Sequence, residues 1–186
     1  MSVHILALVG SLRSGSHNRQ LAEAAVKHAP EDVEVTLYEG LAEVPFYNED
    51  FDTDALRPAA ATRLREAAAQ AEAFLLVTPE YNGTMPAVLK NAIDWLSRPF
   101  GSSALAGSPT AVVGTAFGQY GGVWAQDDAR KSAGIAGATI VEDAKLAIPG
   151  SVTRFAETHP ADDTEAVAQL KQVLSALATT VEAPAV

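Results

Sequence analysis

Val3-His4-Ile5-Leu6-Ala7-Leu8-Val9 is apolar at every position but one, and Gly10-Ser11-Leu12-Arg13-Ser14-Gly15-Ser16-His17-Asn18 follows it as a small, polar run. A short apolar stretch ending in glycine fits a strand buried on both faces, although its length alone also admits a segment of core helix. From Asn18 onward Leu21, Ala22, Ala25 and Val26 recur at helical spacing. The segment therefore reads as strand, polar loop, helix.

The same unit recurs along the chain. Val33, Val35 and Leu37 alternate with Glu34 and Thr36, as in a second strand nearer a sheet edge. Glu39 to Asp54 holds six acidic residues, no basic one and Pro45, and reads as an exposed loop with a solvated acidic surface. Leu56, Ala60, Leu64, Ala67 and Ala71 mark a helix with Pro58 in its first turn, and Phe74 to Val77 is a third strand. Pro79 to Met85 is a loop. Pro86 suits the first turn of a helix that buries Val88, Leu89, Ala92, Ile93, Trp95 and Leu96. After a Gly/Ser-rich connection, Ala111 to Val113 is a fourth strand, Gly114 to Gly122 a glycine-rich loop, and a helix runs to about Ala136. Thr139 to Ile148 holds the last strand. Val167, Leu170, Val173, Leu174, Leu177 and Val181 give an amphipathic closing helix.

Five alternations of strand and helix imply an α/β domain with a doubly wound, five-stranded parallel sheet and helices on both faces. Two topologies suit it: strand order 2-1-3-4-5, and one half of a dinucleotide-binding fold. In such sheets ligands bind beyond the carboxyl ends of the strands where the order reverses. For 2-1-3-4-5 that point lies between strands one and three, so the loops after strands one, three and four share one site.

At 186 residues the chain is a single domain, 1–186. Lys plus Arg total 13 against 23 Asp plus Glu, a formal net charge of -10, which disfavours a nucleic-acid partner. Without cysteine there is no disulfide, thiolate nucleophile or Cys-ligated metal. No apolar run approaches the ~20 residues of a membrane span, and the N-terminus lacks the basic region of a signal peptide. The expectation is a cytoplasmic protein with no membrane partner. His4, His17, His28 and His159 show no metal or triad spacing, and no serine sits in Gly-x-Ser-x-Gly. Neither a metal site nor a general acid or base is expected.

The first loop lies between a strand and a helix N-terminus, where free N–H groups and the helix dipole favour an anion. Ser11, Ser14, Ser16 and Asn18 add neutral donors, and Arg13 adds a fixed charge suited to phosphate. A polar turn capped by Ser16 or Asn18 accounts for one or two of these residues, but not for Arg13 among so many hydroxyls. Gly10 and Gly15 have the spacing of a nucleoside-triphosphate loop, yet Ser16-His17 stands where Lys-Ser/Thr is needed. Gly-x-Gly-x-x-Gly is absent too. The loop suits one terminal monophosphate better than a bridging pyrophosphate. In the second loop, Tyr81 offers an aromatic face and Asn82 a donor and an acceptor beside a flat heterocycle; simple packing and turn roles serve equally for Tyr81 and Gly83, and a helix-dipole role for Glu80. The four glycines of the third loop leave N–H groups open or merely permit tight turns. Trp124 reads as core.

Gly10 to Asn18 with Leu21-Ala22, and the stretch Pro79-Glu80-Tyr81-Asn82-Gly83-Thr84-Met85-Pro86-Ala87-Val88-Leu89-Lys90-Asn91-Ala92-Ile93-Asp94-Trp95-Leu96-Ser97-Arg98-Pro99, resemble the two signatures of the NAD(P)H-dependent FMN reductase family, which includes quinone, chromate and azo-dye reductases. The resemblance covers roughly the whole chain. It implies a flavodoxin-like fold, non-covalent FMN, NAD(P)H as reductant, a quinone-like or other small electron acceptor, and a homodimer or homotetramer. It further implies that Ser11, Arg13, Ser16 and Asn18, with His17 in the same loop, hold the FMN phosphate. Pro79, Glu80, Tyr81, Asn82 and Gly83 then border the isoalloxazine and ribityl chain, and Thr115, Gly118 and Gly121 lie beside the ring. Trp124 departs from the arginine of many relatives. Two other readings compete. A flavodoxin-type electron carrier would share the acidic surface and the FMN loop. A receiver domain needs acidic residues after strand one and an aspartate after strand three, where Gly10-Ser11 and Pro79-Glu80 stand.

Overall fold

The computed structural model describes residues 2–183. Strands β1 (Val3–Val9), β2 (Val33–Leu37), β3 (Ala73–Val77), β4 (Pro109–Thr115) and β5 (Thr139–Ile148) form one parallel sheet in the order β2-β1-β3-β4-β5. This is the flavodoxin-like order, with its reversal between β1 and β3. Ile5 pairs with Ala73 on one side of β1, and Val3 pairs with Val33 on the other.

The apolar runs of β1 and β3 are explained by burial on both faces. Ile5, Ala7, Leu75 and Val77 point into a core shared with helices α1 (His17–Lys27) and α6 (Thr164–Glu182). Leu6, Leu8, Phe74 and Leu76 point into the opposite core, made with α2 (Ala59–Ala69), α3 (Ala87–Leu96) and α4 (Val123–Ile135). A fifth, short helix, α5 (Ser151–Arg154), follows β5. No helix among the described residues is long and apolar enough to cross a membrane.

Several boundaries differ from the sequence reading. Leu56 and Ala71 lie outside α2, because Pro58 stands as its N-cap and leaves Leu56 59% exposed. Val26 is exposed near the end of α1. β4 extends through Gly114 and Thr115, so the third loop begins at Ala116. Five of the six acidic residues of segment 39–54 are exposed, as the sequence suggests, and Asp52 is the exception. Leu41 and Val44 are buried, two short 3-10 turns shape it, and the Asp52 carboxylate receives both Arg65 NH groups at 2.7 Å and Arg57 Nε at 3.0 Å. Hydrogen bonding from Arg65, then from Arg57, holds the Asp52 carboxyl below the usual carboxylate range.

α6 closes one face by burying Leu170, Val173, Leu174 and Leu177, each contributing about 1.5–3 kcal/mol relative to exposure. Its N-cap is Asp163, whose carboxylate accepts from Ala166 N–H (2.9 Å) and from Arg154 Nε (2.7 Å). Arg154 is the main cause that lowers the Asp163 pKa from 3.8 to about 2. A carboxyl depressed in the folded state stabilises fully above its unfolded pKa and ceases to do so as pH falls through the folded value. Asp163→Ala should therefore lower thermal stability at neutral pH by about 1–2 kcal/mol, the ordinary cost of a lost N-cap with its ion pair. Thermal melts of parent and variant should converge as pH is taken from 4 towards 2. A constant difference across that range would remove Asp163 from this role.

Candidate functional site

The loops after β1, β3 and β4 meet above the sheet. Gly10 N–H donates to Val77 O (2.8 Å) and Ser16 N–H to Arg13 O (3.2 Å), so the first loop curls back before α1 begins. Ser16 is the α1 N-cap, its hydroxyl accepting from Arg19 N–H (3.4 Å). Ser11 and Ser16 are almost wholly buried, whereas Arg13 is exposed. The Arg13 guanidinium makes a single hydrogen bond among the described residues, to Ser14 O at 3.3 Å. His17 packs edge-on against Phe155, and burial, then the charge of Arg13, holds its pKa below the usual imidazole value. Both effects favour the neutral ring.

A polar pocket of about 200 Å³ opens between these loops. It brings together Ser11, Arg13, Ser16, His17 and Asn18 from the first loop, Pro79, Glu80 and Tyr81 from the second, and Thr115 to Phe117 from the third. Ser151, at the start of α5, completes it. The sequence reading missed Ser151; its one local signal is Pro149-Gly150, with Gly150 at φ +63° before the helix.

Not every residue expected here faces the pocket with free polar atoms. Asn18 is a clamp between elements: its Nδ2 donates to Thr115 O and its Oδ1 accepts from Thr115 N–H, both at 2.9 Å. Thr115 is buried, its hydroxyl donating to Ile148 O (2.8 Å). The Glu80 carboxylate accepts from Ala125 N–H (3.2 Å) and so caps the first turn of α4, the dipole-pairing role that a carboxylate takes at a helix N-terminus. Asn82 and Gly83 have positive φ, 54° and 79°, and form the tip of a tight turn in which Tyr81 and Thr84 exchange backbone hydrogen bonds of 3.0 and 3.2 Å. Asn-Gly is the pair such a turn favours, and neither residue lines the polar pocket. The turn is pinned to α4 where the Thr84 hydroxyl donates to the Asp128 carboxylate. Gly121 faces the backbone of β5, and Gly118 faces open space; neither lines the pocket. Trp124 is not core. It is 54% exposed and its ring lies 5.3 Å from that of Tyr120.

A second cavity, of about 530 Å³ and mostly apolar, adjoins the first across Arg13 and Tyr81, which border both. Leu12 forms one wall, Pro86 and Val88 another, and Leu41, Val44, Pro45 and Phe46 the outer one. The acidic segment thus supplies an apolar face that its charge content hides.

Comparison with known proteins agrees with this geometry. The chain is 43% identical over 130 residues to the 2-hydroxy-1,4-benzoquinone reductase of a Burkholderia species, covering 70% of this chain and 69% of the relative. It is 44% identical over 128 residues to a quinone reductase of Pseudomonas putida, covering 69% and 68%. Among solved structures, FerB of Paracoccus denitrificans, a flavoenzyme NAD(P)H:(acceptor) oxidoreductase, superposes with a TM-score of 0.84 at 30% identity over 97% of both chains. Residues 3–153 match the model of the NADPH-dependent FMN reductases, and the chain belongs to that family.

Proposed function

We propose that the polar pocket holds the FMN phosphate and that the apolar cavity beside it admits, in turn, the nicotinamide of NAD(P)H and a quinone-like acceptor. The protein is an FMN-dependent NAD(P)H oxidoreductase, as its family states, and not a passive electron carrier. The fit to FMN rests on the chain's own donors. Ser11 and Ser16 offer hydroxyls, the α1 N-terminus offers backbone N–H groups, and Arg13 brings a cation with no carboxylate partner among the described residues. Glu80, the one carboxylate among the described residues that line the pocket, is already turned to α4. The carrying observation is the juxtaposition of an anion cradle with an apolar cavity through the shared residues Arg13 and Tyr81.

Bound FMN supplies transfer of two electrons and a proton, for the net reaction NAD(P)H + H⁺ + quinone → NAD(P)⁺ + hydroquinone. The protein's part is to fix the phosphate, to orient the reactants against the Tyr81 turn and to exclude water with the apolar walls. No side chain forms a covalent bond. The exposed rings of Phe100, Phe117 and Trp124, with Ile135, give each protomer apolar surface of the kind that a homodimer or homotetramer buries.

One apolar cavity serving both reactants dictates kinetic order. Double-reciprocal plots against NAD(P)H at several quinone concentrations should be parallel, as a ping-pong scheme requires. Intersecting lines would mean that both reactants bind together. No turnover without an added reductase would favour the carrier.

A further inference from the structure

The outer wall of the apolar cavity belongs to no long helix or strand. Side chains from one stripe of α3 hold it. Asn91 Oδ1 accepts from Tyr47 N–H (2.8 Å), and Asn91 Nδ2 donates to the carbonyls of Val44 (3.2 Å) and Pro45 (3.0 Å). Four residues on, Trp95 Nε1 donates to the same Pro45 carbonyl at 2.8 Å. Trp95 is itself fixed, with the Tyr47 ring edge-on at 4.9 Å and the Arg65 guanidinium over its face at 5.5 Å.

This clasp engages three backbone polar groups at the wall. With the carbonyls of Val44 and Pro45 and the amide of Tyr47 engaged by α3, they are not free to bond a ligand. The Glu43 carboxylate is paired with Arg63 at 2.6 Å. What the wall presents is apolar, and its most prominent member is Phe46, 78% exposed at the cavity edge. An aromatic side chain that exposed contributes little to folding, and its free area is available to a ligand.

We infer that residues 41–46, set in place by Asn91 and Trp95, select the electron acceptor by its apolar area, with Phe46 the specificity-determining side chain and flat, uncharged fused-ring quinones the favoured class over small anions. This rests on the reading that the acceptor enters the apolar cavity. Asn91 is a positioning residue: it acts on the acceptor through the segment that it holds.

The test compares FMN-loaded parent, Phe46→Ala and Asn91→Leu with 2-methyl-1,4-naphthoquinone and with ferricyanide, each with NAD(P)H as reductant. The readout is the ratio of kcat/KM for the quinone to kcat/KM for ferricyanide. In Phe46→Ala that ratio should fall roughly fivefold to tenfold, through KM for the quinone, as expected for the loss of one aromatic contact area. Asn91→Leu should shift the ratio in the same direction. A ratio within about twofold of the parent in Phe46→Ala, or equal losses for both acceptors, overturns the inference while leaving the oxidoreductase reading in place. A parent protein that oxidises NAD(P)H with neither acceptor overturns that reading and the inference with it. Phe46 is exposed, so its variant keeps the test decisive even where Asn91→Leu fails to fold.

Discussion

Arg13→Ala will weaken FMN binding by roughly tenfold to a hundredfold, the loss expected when one charge-assisted contact is removed. The side chain is exposed at the mouth of the polar pocket and, among the described residues, makes one 3.3 Å bond to a neighbouring carbonyl. Its removal will therefore leave the fold intact. Being exposed, the contact is open to screening, and added salt should narrow the difference between variant and parent. Titration of apo-protein with FMN by flavin fluorescence reads both effects. Equal affinity in a folded Arg13→Ala protein would contradict the phosphate role.

Gly114→Ala will cost the fold at least about 3 kcal/mol. A Cβ at Gly114 would stand 2.1 Å from the carbonyl oxygen of Thr78. That oxygen is backbone, and Thr78 N–H is bonded to Val113 O at 2.9 Å in the β3–β4 ladder. The clash is relieved only by parting the two strands just below the site. Gly118 is the control, since a Cβ there meets nothing within 4 Å, and Gly118→Ala should stay within about 0.5 kcal/mol of the parent. Urea denaturation of the three proteins tests this. A Gly114→Ala protein as stable as Gly118→Ala would show that the strands separate more easily than the ladder implies.

These two glycines mark where sequence stops being informative. The alternation of strands and helices followed from local patterns, apolar runs at Val3–Val9 and Phe74–Val77 with helical spacing after each; these allowed two strand orders, and the family resemblance implied the one observed. Asn82-Gly83 likewise carries its turn in its own chemistry. Gly114, by contrast, looked like the first of four loop glycines, and only its distance to Thr78 separates it from Gly118. Asn18 read as a free donor because its partner, Thr115, is 97 residues away. Asp52 read as one of six solvated acids because Arg57 and Arg65 come from beyond the segment. The apolar wall of residues 41–46 was hidden for the same reason: its shape is imposed by Asn91 and Trp95 on a helix about 45 positions on. Local periodicity carries the fold, whereas the assignment of polar side chains to ligand or to structure depends on long-range hydrogen bonds.

The most direct test is anaerobic addition of NADH or NADPH to the purified flavin-loaded protein, followed by visible absorbance, with the released flavin identified by chromatography. The expected result is a yellow protein that releases FMN and whose flavin absorbance is bleached by the nicotinamide alone, then restored by a stoichiometric quinone. A protein that takes up FAD as readily as FMN, that binds no flavin, or whose flavin is bleached only when a separate reductase is added would contradict it.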